Sequence, residues 1–278
     1  SEDAEWNFVL RQDGEMIRLI DANSREVPED MIIESMEFGV KSAAALIEAQ
    51  KTFVEKVEKA GGEIVKPEYL SFAVPKDLLS EVRKSKKSEL EKALEIEDRS
   101  ERKDVMGEVK EALFKEHEGE YSKSQMSEAV DYVVKEIVRS WILDDTKRMD
   151  GRKLDEVRQL KIETGVLPRA HGSALFTRGG TQALTVTTLA SGRLEQIIEG
   201  MEGEETKRYM HHYNAPEYSV GAAGRYNFVP KRRELGHGAL AEKALVAVLP
   251  DKETFPYTIR VVSEIMSQSG SSSMASVC

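Results

Sequence analysis

Thr258-Ile259-Arg260-Val261-Val262-Ser263-Glu264-Ile265 runs on into Gly270-Ser271-Ser272-Ser273-Met274-Ala275-Ser276-Val277-Cys278. The first stretch is rich in β-branched residues and reads as a strand. The second consists almost wholly of small residues, suited to the tightly packed start of a helix. A helix start leaves several backbone N–H groups without intrahelical partners and carries a partial positive charge. Glycine lets a ligand come close to the backbone, and serine hydroxyls add donors. Together, Ser271, Ser272 and Ser273 make a candidate site for a phosphate or similar anion. A plainer reading stands beside it, in which Ser271 or Ser272 is only an N-cap.

Upstream, Lys231-Arg232-Arg233-Glu234-Leu235-Gly236-His237-Gly238 holds the one dense basic cluster of residues 149–278, with Arg225 just before it. Adjacent arginines in a loop ahead of a helix over residues 234–247 can fork onto phosphate oxygens. His237, between two glycines, has little neighbouring bulk to bury it and can reach a ligand. Alone, the cluster also fits a solvated basic loop. Chemistry on phosphate needs the serines and the arginines together, because spread negative charge must be met by several fixed donors. His211-His212-Tyr213 fits either a strand end near such a site or a surface turn. There is no zinc-ligand spacing, no Walker-type phosphate loop and no Gly-x-Ser-x-Gly elbow. Cys278, among small neighbours, reads as a packed residue rather than a nucleophile, and Trp6 and Trp141 read as core.

Three segments differ in character. Residues 6–20 hold two short strands around Asp13-Gly14, followed by Pro28 and a helix over residues 31–60. Its apolar positions Ile33, Met36, Val40, Ala44, Ile47, Val54 and Val57 recur mostly three or four apart, and Gly61-Gly62 stops it. A hairpin and one helix cannot bury a core alone, so residues 1–65 read as the tail of a domain. Residues 66–148 are Lys/Glu-rich and nearly free of glycine, with a helix over 80–94. Met126, Val130, Val133, Ile137 and Trp141 stand at helical spacing, giving a small all-helical domain. The charge run over 81–103 reads as solvated helix faces. From Asp150 strands return: Ala174-Leu175-Phe176-Thr177 and Ala183-Leu184-Thr185-Val186-Thr187-Thr188-Leu189 flank Gly179-Gly180 as a hairpin.

The 278 residues, 40% hydrophobic and 32% charged, describe an ordinary globular protein with room for two or three domains. No run approaches the roughly 18–20 apolar residues of a membrane-spanning helix. The acidic start lacks signal-peptide order, and without an initial Met the chain need not begin where its gene does. One cysteine excludes an internal disulfide and suits a reducing compartment, with the cytoplasm as the default. The net charge of −10 argues against nonspecific nucleic-acid binding by the whole chain. Residues 1–65 carry seven Lys and Arg against fifteen Asp and Glu, whereas residues 149–278 carry sixteen against fifteen. A polyanion is therefore expected to bind late in the chain.

At residues 149–278 the sequence resembles the polynucleotide phosphorylase family. The resemblance is carried by Met149-Asp150-Gly151-Arg152, by Val166-Leu167-Pro168-Arg169-Ala170-His171-Gly172-Ser173-Ala174-Leu175-Phe176-Thr177-Arg178-Gly179 and by Thr181-Gln182-Ala183-Leu184. His212-Tyr213-Asn214, the stretch from Lys231 to Gly238, Phe255-Pro256-Tyr257-Thr258-Ile259-Arg260 and the triple serine through Cys278 continue it. The resemblance implies a mixed α/β fold: ribonuclease PH-like core domains (ribosomal protein S5 domain 2-like) flanking an all-α domain. Residues 1–65 would close the first core domain, residues 66–148 would be the helical linker, and residues 149–278 would open the second, catalytic domain.

The implied activity is reversible phosphorolysis. Inorganic phosphate attacks the terminal bond at the 3′ end of single-stranded RNA and releases a nucleoside 5′-diphosphate, with Mg²⁺ and without a covalent intermediate. By position, Ser271, Ser272 and Ser273 match the phosphate loop. Arg232 and Arg233 match residues that hold phosphate and the RNA 3′ end, and His237 matches a residue near the chemistry. The family works as a homotrimer ring, in some cases within an RNA-degradation complex. Its Mg²⁺ aspartates would lie past residue 278, and its KH and S1 domains are not in this stretch, so the isolated polypeptide is expected to be inactive and poorly stable. Two rivals remain: a catalytically silent RNA-binding ring subunit, and a small-molecule kinase of similar fold with a Gly-Ser-Ser phosphate loop.

Overall fold

A computed structural model describes residues 6–14, 16–61, 73–96, 98–201, 203–225 and 229–278. The acidic N-terminus at 1–5, Gly62 of the helix stop and positions 66–72 of the expected helical domain lie outside the described residues. The chain forms two compact units, Ser1–Ile64 with Arg158–Cys278, and Val65–Val157. Residues 149–157, expected at the head of the second core domain, thus group with the helices. Met149 packs on the helical core, and Arg148 Nη1 donates to the carbonyls of Lys153 and Glu156 at 3.1 and 3.2 Å.

The chain opens with the antiparallel hairpin β1 (Trp6–Asp13) and β2 (Met16–Ser24), longer than the sequence suggests, followed by helix α1 (Glu29–Lys59). None of the α1 residues is buried. Along its apolar stripe Met36, Val40, Ile47 and Val57 are half-buried, while Ile33, Val54 and, off the stripe, Phe38 and Phe53 stay open to solvent, because a two-stranded hairpin is too small to cover the helix.

The helical unit holds α2 (Lys76–Ser85), α3 (Lys87–Leu94), α4 (Arg99–Glu116) and α5 (Lys123–Leu143). The expected single helix over 80–94 is two, with the break at Lys86. Local chemistry sets the helix starts. Asp98 accepts from the N–H groups of Ser100 and Glu101, while Ser122 and Gln125 form a reciprocal capping box. Leu78, Val82, Leu90, Leu113, Met126, Val130 and Val133 make the core, and Trp141 packs on it. Most described charged residues of the run are exposed as expected, but Lys86 is 6% exposed and pairs with Glu116 at 2.6 Å.

The remaining elements are β3 (Leu160–Thr164), β4 (Gly172–Arg178), β5 (Thr181–Ser191), a separate hairpin β6 (Gln196–Gly200) and β7 (Gly203–Lys207), β8 (Tyr209–Asn214), helix α6 (Arg232–Val246), β9 (Tyr257–Ser267) and the short helix α7 (Ser272–Val277). Five strands form one sheet in the order β3-β4-β5-β9-β8. β9 pairs antiparallel with β5 and parallel with β8. Helix α6 lies in the crossover from β8 to β9, as a parallel neighbour requires. The packed face of the sheet carries two apolar clusters. Phe176, Ala183, Tyr213 and Ile265 meet Ala275 of α7, while Tyr209, Ile259 and Val261 meet Leu245 of α6.

Candidate active site

Strand β9 places the serines. Its exit passes through Gln268 and Ser269 to Gly270 at φ 89° and Ser271 at φ 53°, then into α7. Ser271 is a left-handed residue with a Cβ, a conformation that costs on the order of 1–3 kcal/mol unless its surroundings impose it. The β4–β5 hairpin does so. Arg178 Nη2 and Thr181 Oγ1 both donate to the Gly270 carbonyl, at 2.8 and 3.1 Å, and Ser269 N donates to Thr181 Oγ1 at 3.0 Å. The Gly179-Gly180 turn read from the sequence thus anchors the serine loop. Ser272 and Ser273 are buried and Ser271 is exposed.

Helix α6 places the arginines. It begins at Arg232, so both arginines lie in its first turn rather than in a preceding loop. The cause is Glu234, whose carboxylate accepts from Lys231 N at 2.7 Å and from Ala215 N at 3.2 Å, closing the helix start. Lys231 Nζ pairs with Glu217 at 2.5 Å, which holds the Glu217 carboxyl below its usual range. Gly238 lets α6 lie directly on β8, since a Cβ there would stand 2.7 Å from the His211 carbonyl oxygen. Gly238 in the histidine–glycine pattern therefore reflects helix–strand packing.

The two segments meet over β8. Tyr213 OH and Ser272 Oγ lie 2.6 Å apart, and the Tyr213 ring stacks on His237 with centroids 4.7 Å apart. Arg233 Nε donates to His237 Nε2 at 3.5 Å and its Nη2 to Gln268 Oε1 at 3.3 Å. Ser272 Oγ donates to the same Gln268 oxygen at 3.4 Å. Burial and the Arg233 charge lower the His237 pKa, so the imidazole is neutral at pH 7 and can accept from Arg233. Ser272, Arg233 and His237 thus form one cluster. Arg232 and Ser271 are exposed beside it, and among the described residues neither shares a side-chain hydrogen bond with the other three.

The sequence alone does not mark Tyr213 and Gln268 as members of this cluster, nor Ser219, whose Oγ accepts from Gln268 Nε2 at 2.7 Å behind it. Tyr213 stands in the His212-Tyr213-Asn214 stretch, whose residue types do not by themselves point to the serines, and nothing local marks the other two. His211, left open between a strand end and a surface turn, is interior to β8 and buried. Its Nδ1 faces Tyr209 OH at 3.0 Å and its Nε2 faces Ser263 Oγ at 2.9 Å, with Thr185 Oγ1 2.9 Å further on. Burial pushes the His211 pKa down to about 4. Cys278, expected to be packed, is exposed.

Residues 156–278 match the RNase PH family model, described as the 3′ exoribonuclease family, domain 1, and that is the class of this mixed sheet with its serine loop. Residues 77–153 match a second model, the polyribonucleotide nucleotidyltransferase RNA binding domain. Polyribonucleotide nucleotidyltransferase of Caldicellulosiruptor bescii is 43% identical over 284 aligned residues, covering 100% of this chain and 39% of that protein. Those of Macrococcus caseolyticus and Bacillus licheniformis are 42% and 41% identical, covering 94% and 100% of this chain and 37% and 39% of theirs. The chain belongs to the polyribonucleotide nucleotidyltransferase family and spans well under half the length of these relatives. A solved structure titled Archaeoglobus fulgidus exosome with RNA bound to the active site overlaps at 19% identity and a TM-score of 0.35, over 52% of this chain and 59% of that one, too slight a likeness to add to this.

Proposed function

We propose that the complete protein is a phosphorolytic 3′-to-5′ exoribonuclease, and that these residues hold the inorganic phosphate and the RNA 3′ end. The observation that carries the proposal is the junction of Ser272 with Arg233 through one Gln268 oxygen, which gathers anion donors from both ends of the α6–β9 segment. Family membership supports the same reading. An oxygen of hydrogen phosphate attacks the phosphorus of the terminal linkage, and the bond from that phosphorus to the penultimate 3′ oxygen breaks. The proton of the attacking group passes, in net, to that oxygen, and a nucleoside 5′-diphosphate leaves. Ser271, Ser272 and Ser273 seat the attacking phosphate. Arg232 and Arg233 neutralise charge on the scissile linkage, the kind of fixed stabilisation that dominates phosphoryl transfer. Neutral His237 keeps the Arg233 guanidinium turned toward the serines.

The working form in this proposal is a homotrimer ring in the cytoplasm that takes single-stranded RNA, alone or within an RNA-degradation complex. Magnesium belongs to the same reading, and among the described residues no group of three or more His, Cys, Asp or Glu side chains can hold it. Among the described residues no helix is long and apolar enough to cross a membrane.

The test uses the complete gene product with short single-stranded RNA, Mg²⁺ and inorganic phosphate, reading nucleoside diphosphate. Phosphate-dependent release that falls roughly a hundredfold or more in Ser272→Ala and Arg233→Ala is the expected result. RNA binding without diphosphate release would make the protein a silent ring subunit. Nucleoside monophosphates released without phosphate would make it a hydrolytic nuclease.

A further inference from the structure

The side chain of Gln268 has no place in the chemistry just described, yet it stands at the centre of the cluster. Gln268 follows the last residue of β9 and is 8% exposed. A buried primary amide is stable only when its donors and acceptor are met. Here Nε2 donates to Ser219 Oγ at 2.7 Å, while Oε1 accepts from Arg233 Nη2 at 3.3 Å and Ser272 Oγ at 3.4 Å. The orientation of the amide is not arbitrary. A guanidinium can only donate, so the atom facing Arg233 must be the oxygen, and the NH₂ then faces Ser219.

The amide is also held from behind. Gln268 N donates to the Ser219 carbonyl at 2.9 Å, so backbone and side chain both tie the end of β9 to the 3₁₀ turn at Glu217–Val220. Ser219 is buried, so the anchor does not depend on solvent. The two bonds on the Oε1 side lie at the long end of the hydrogen-bonding range, unlike the short bond to Ser219. One amide oxygen thus faces both groups at nearly equal distances. Arg233 has five N–H donors, and its bonds to His237 and Gln268 leave others for a ligand.

We propose that Gln268 is a positioning residue for phosphorolysis, its amide oxygen setting the separation between the Arg233 guanidinium and the Ser272 hydroxyl so that both reach one phosphate. The inference rests on the function proposed above and adds to it the group that registers the two halves of the phosphate site. The amide touches neither substrate. It acts through Arg233 and Ser272, and Ser219 acts through it.

The experiment measures phosphorolysis by the complete gene product while inorganic phosphate and RNA are varied separately. Gln268→Met keeps the length of the side chain and removes the amide. It is expected to raise the KM for phosphate roughly tenfold, the scale of a lost hydrogen bond to a charged group, with the KM for RNA within about twofold. Gln268→Glu keeps the shape and the acceptor oxygens but pairs with Arg233 and repels phosphate, so its phosphate KM is expected to rise further while Tm is held. Ser219→Ala, which loosens the amide from behind, is expected to raise the phosphate KM about threefold. Unchanged phosphate KM in Gln268→Met and Gln268→Glu, with wild-type phosphorolysis intact, would overturn the proposal. So would equal rises in the KM values for phosphate and RNA alongside a lowered Tm, because that is the pattern of a structural defect. Absence of phosphate-dependent release by the wild-type protein would instead remove the proposed function, and this inference with it.

Discussion

Tyr213 and Ser272 are 59 positions apart and share a hydrogen bond of 2.6 Å, buried at both ends. The tyrosine comes from the edge strand β8, the serine from the helix that follows β9, and the parallel pairing of those strands brings them together. The Tyr213 ring also stacks on His237, so one side chain touches both the serine loop and the arginine helix.

Tyr213→Phe keeps the stack and removes the hydroxyl. Ser272 then loses its shortest partner, at a cost of about 1 kcal/mol in stability. In the complete protein the phosphorolytic kcat/KM for phosphate is expected to fall roughly fivefold, the kinetic equivalent of about 1 kcal/mol. A steady-state titration of phosphate checks this, and an unchanged value would show that the hydroxyl does not hold Ser272 in place.

Gly238→Ala pits helix propensity against space. Alanine gains up to about 1 kcal/mol in a helix interior, but its Cβ would stand 2.7 Å from the backbone oxygen of His211, which cannot rotate away. The clash is expected to win, with a net loss of about 1–3 kcal/mol as α6 is pushed off β8. Thermal unfolding checks the sign, and a raised Tm would mean that helix and strand separate at little cost.

His211 makes the sheet sensitive to acid. Its pKa is about 4 in the folded protein against an ordinary 6.5, so the unfolded chain takes up a proton first as pH falls. Stability is complete above 6.5 and declines as pH drops toward 4, by up to about 3 kcal/mol. Hydrogen exchange of the β8 and β9 amides at pH 7 and pH 5 should show faster opening at the lower value. His211→Gln, which cannot titrate, should flatten the difference, and an equal difference in that variant would assign the effect to another group.

Leu113→Ala tests the helical unit by itself. Leu113 is 0% exposed in a core shared with Leu78, Met126 and Val130, so truncation is expected to cost about 2–5 kcal/mol. Lys115→Ala, on an exposed side chain two residues away, is expected to stay within about 0.5 kcal/mol. Denaturant melts followed by helical signal compare the two, and equal midpoints would mean that the core relaxes into the cavity.

Elements with a local signal were legible in the sequence. Asp13-Gly14 marks the first hairpin, Gly179-Gly180 the β4–β5 turn, and the spacing of Met126, Val130, Val133 and Ile137 marks α5. The serine and arginine stretches were legible too, since their chemistry lies in contiguous residues. The errors fall where a nonlocal partner decides. β8 stayed open between a strand end and a surface turn because a parallel strand shows itself only beside its neighbour, and the break at Lys86 went unread because Lys87 and its neighbours remain good helix formers.

The sequence by itself determined the class of fold, the order of its segments and the residue types able to meet phosphate, because periodicity, turn residues and charge are properties of neighbours along the chain. Only the tertiary structure decided that Ser272, Tyr213, His237, Arg233 and Gln268 form one hydrogen-bonded and stacked cluster, and that Arg232 and Ser271 stand outside it. The physical reason is the β8–α6–β9 crossover. Pairing parallel strands forces the helix between them back across the sheet, and Gly238 lets it settle on β8 closely enough to bring its first turn against the loop leaving β9.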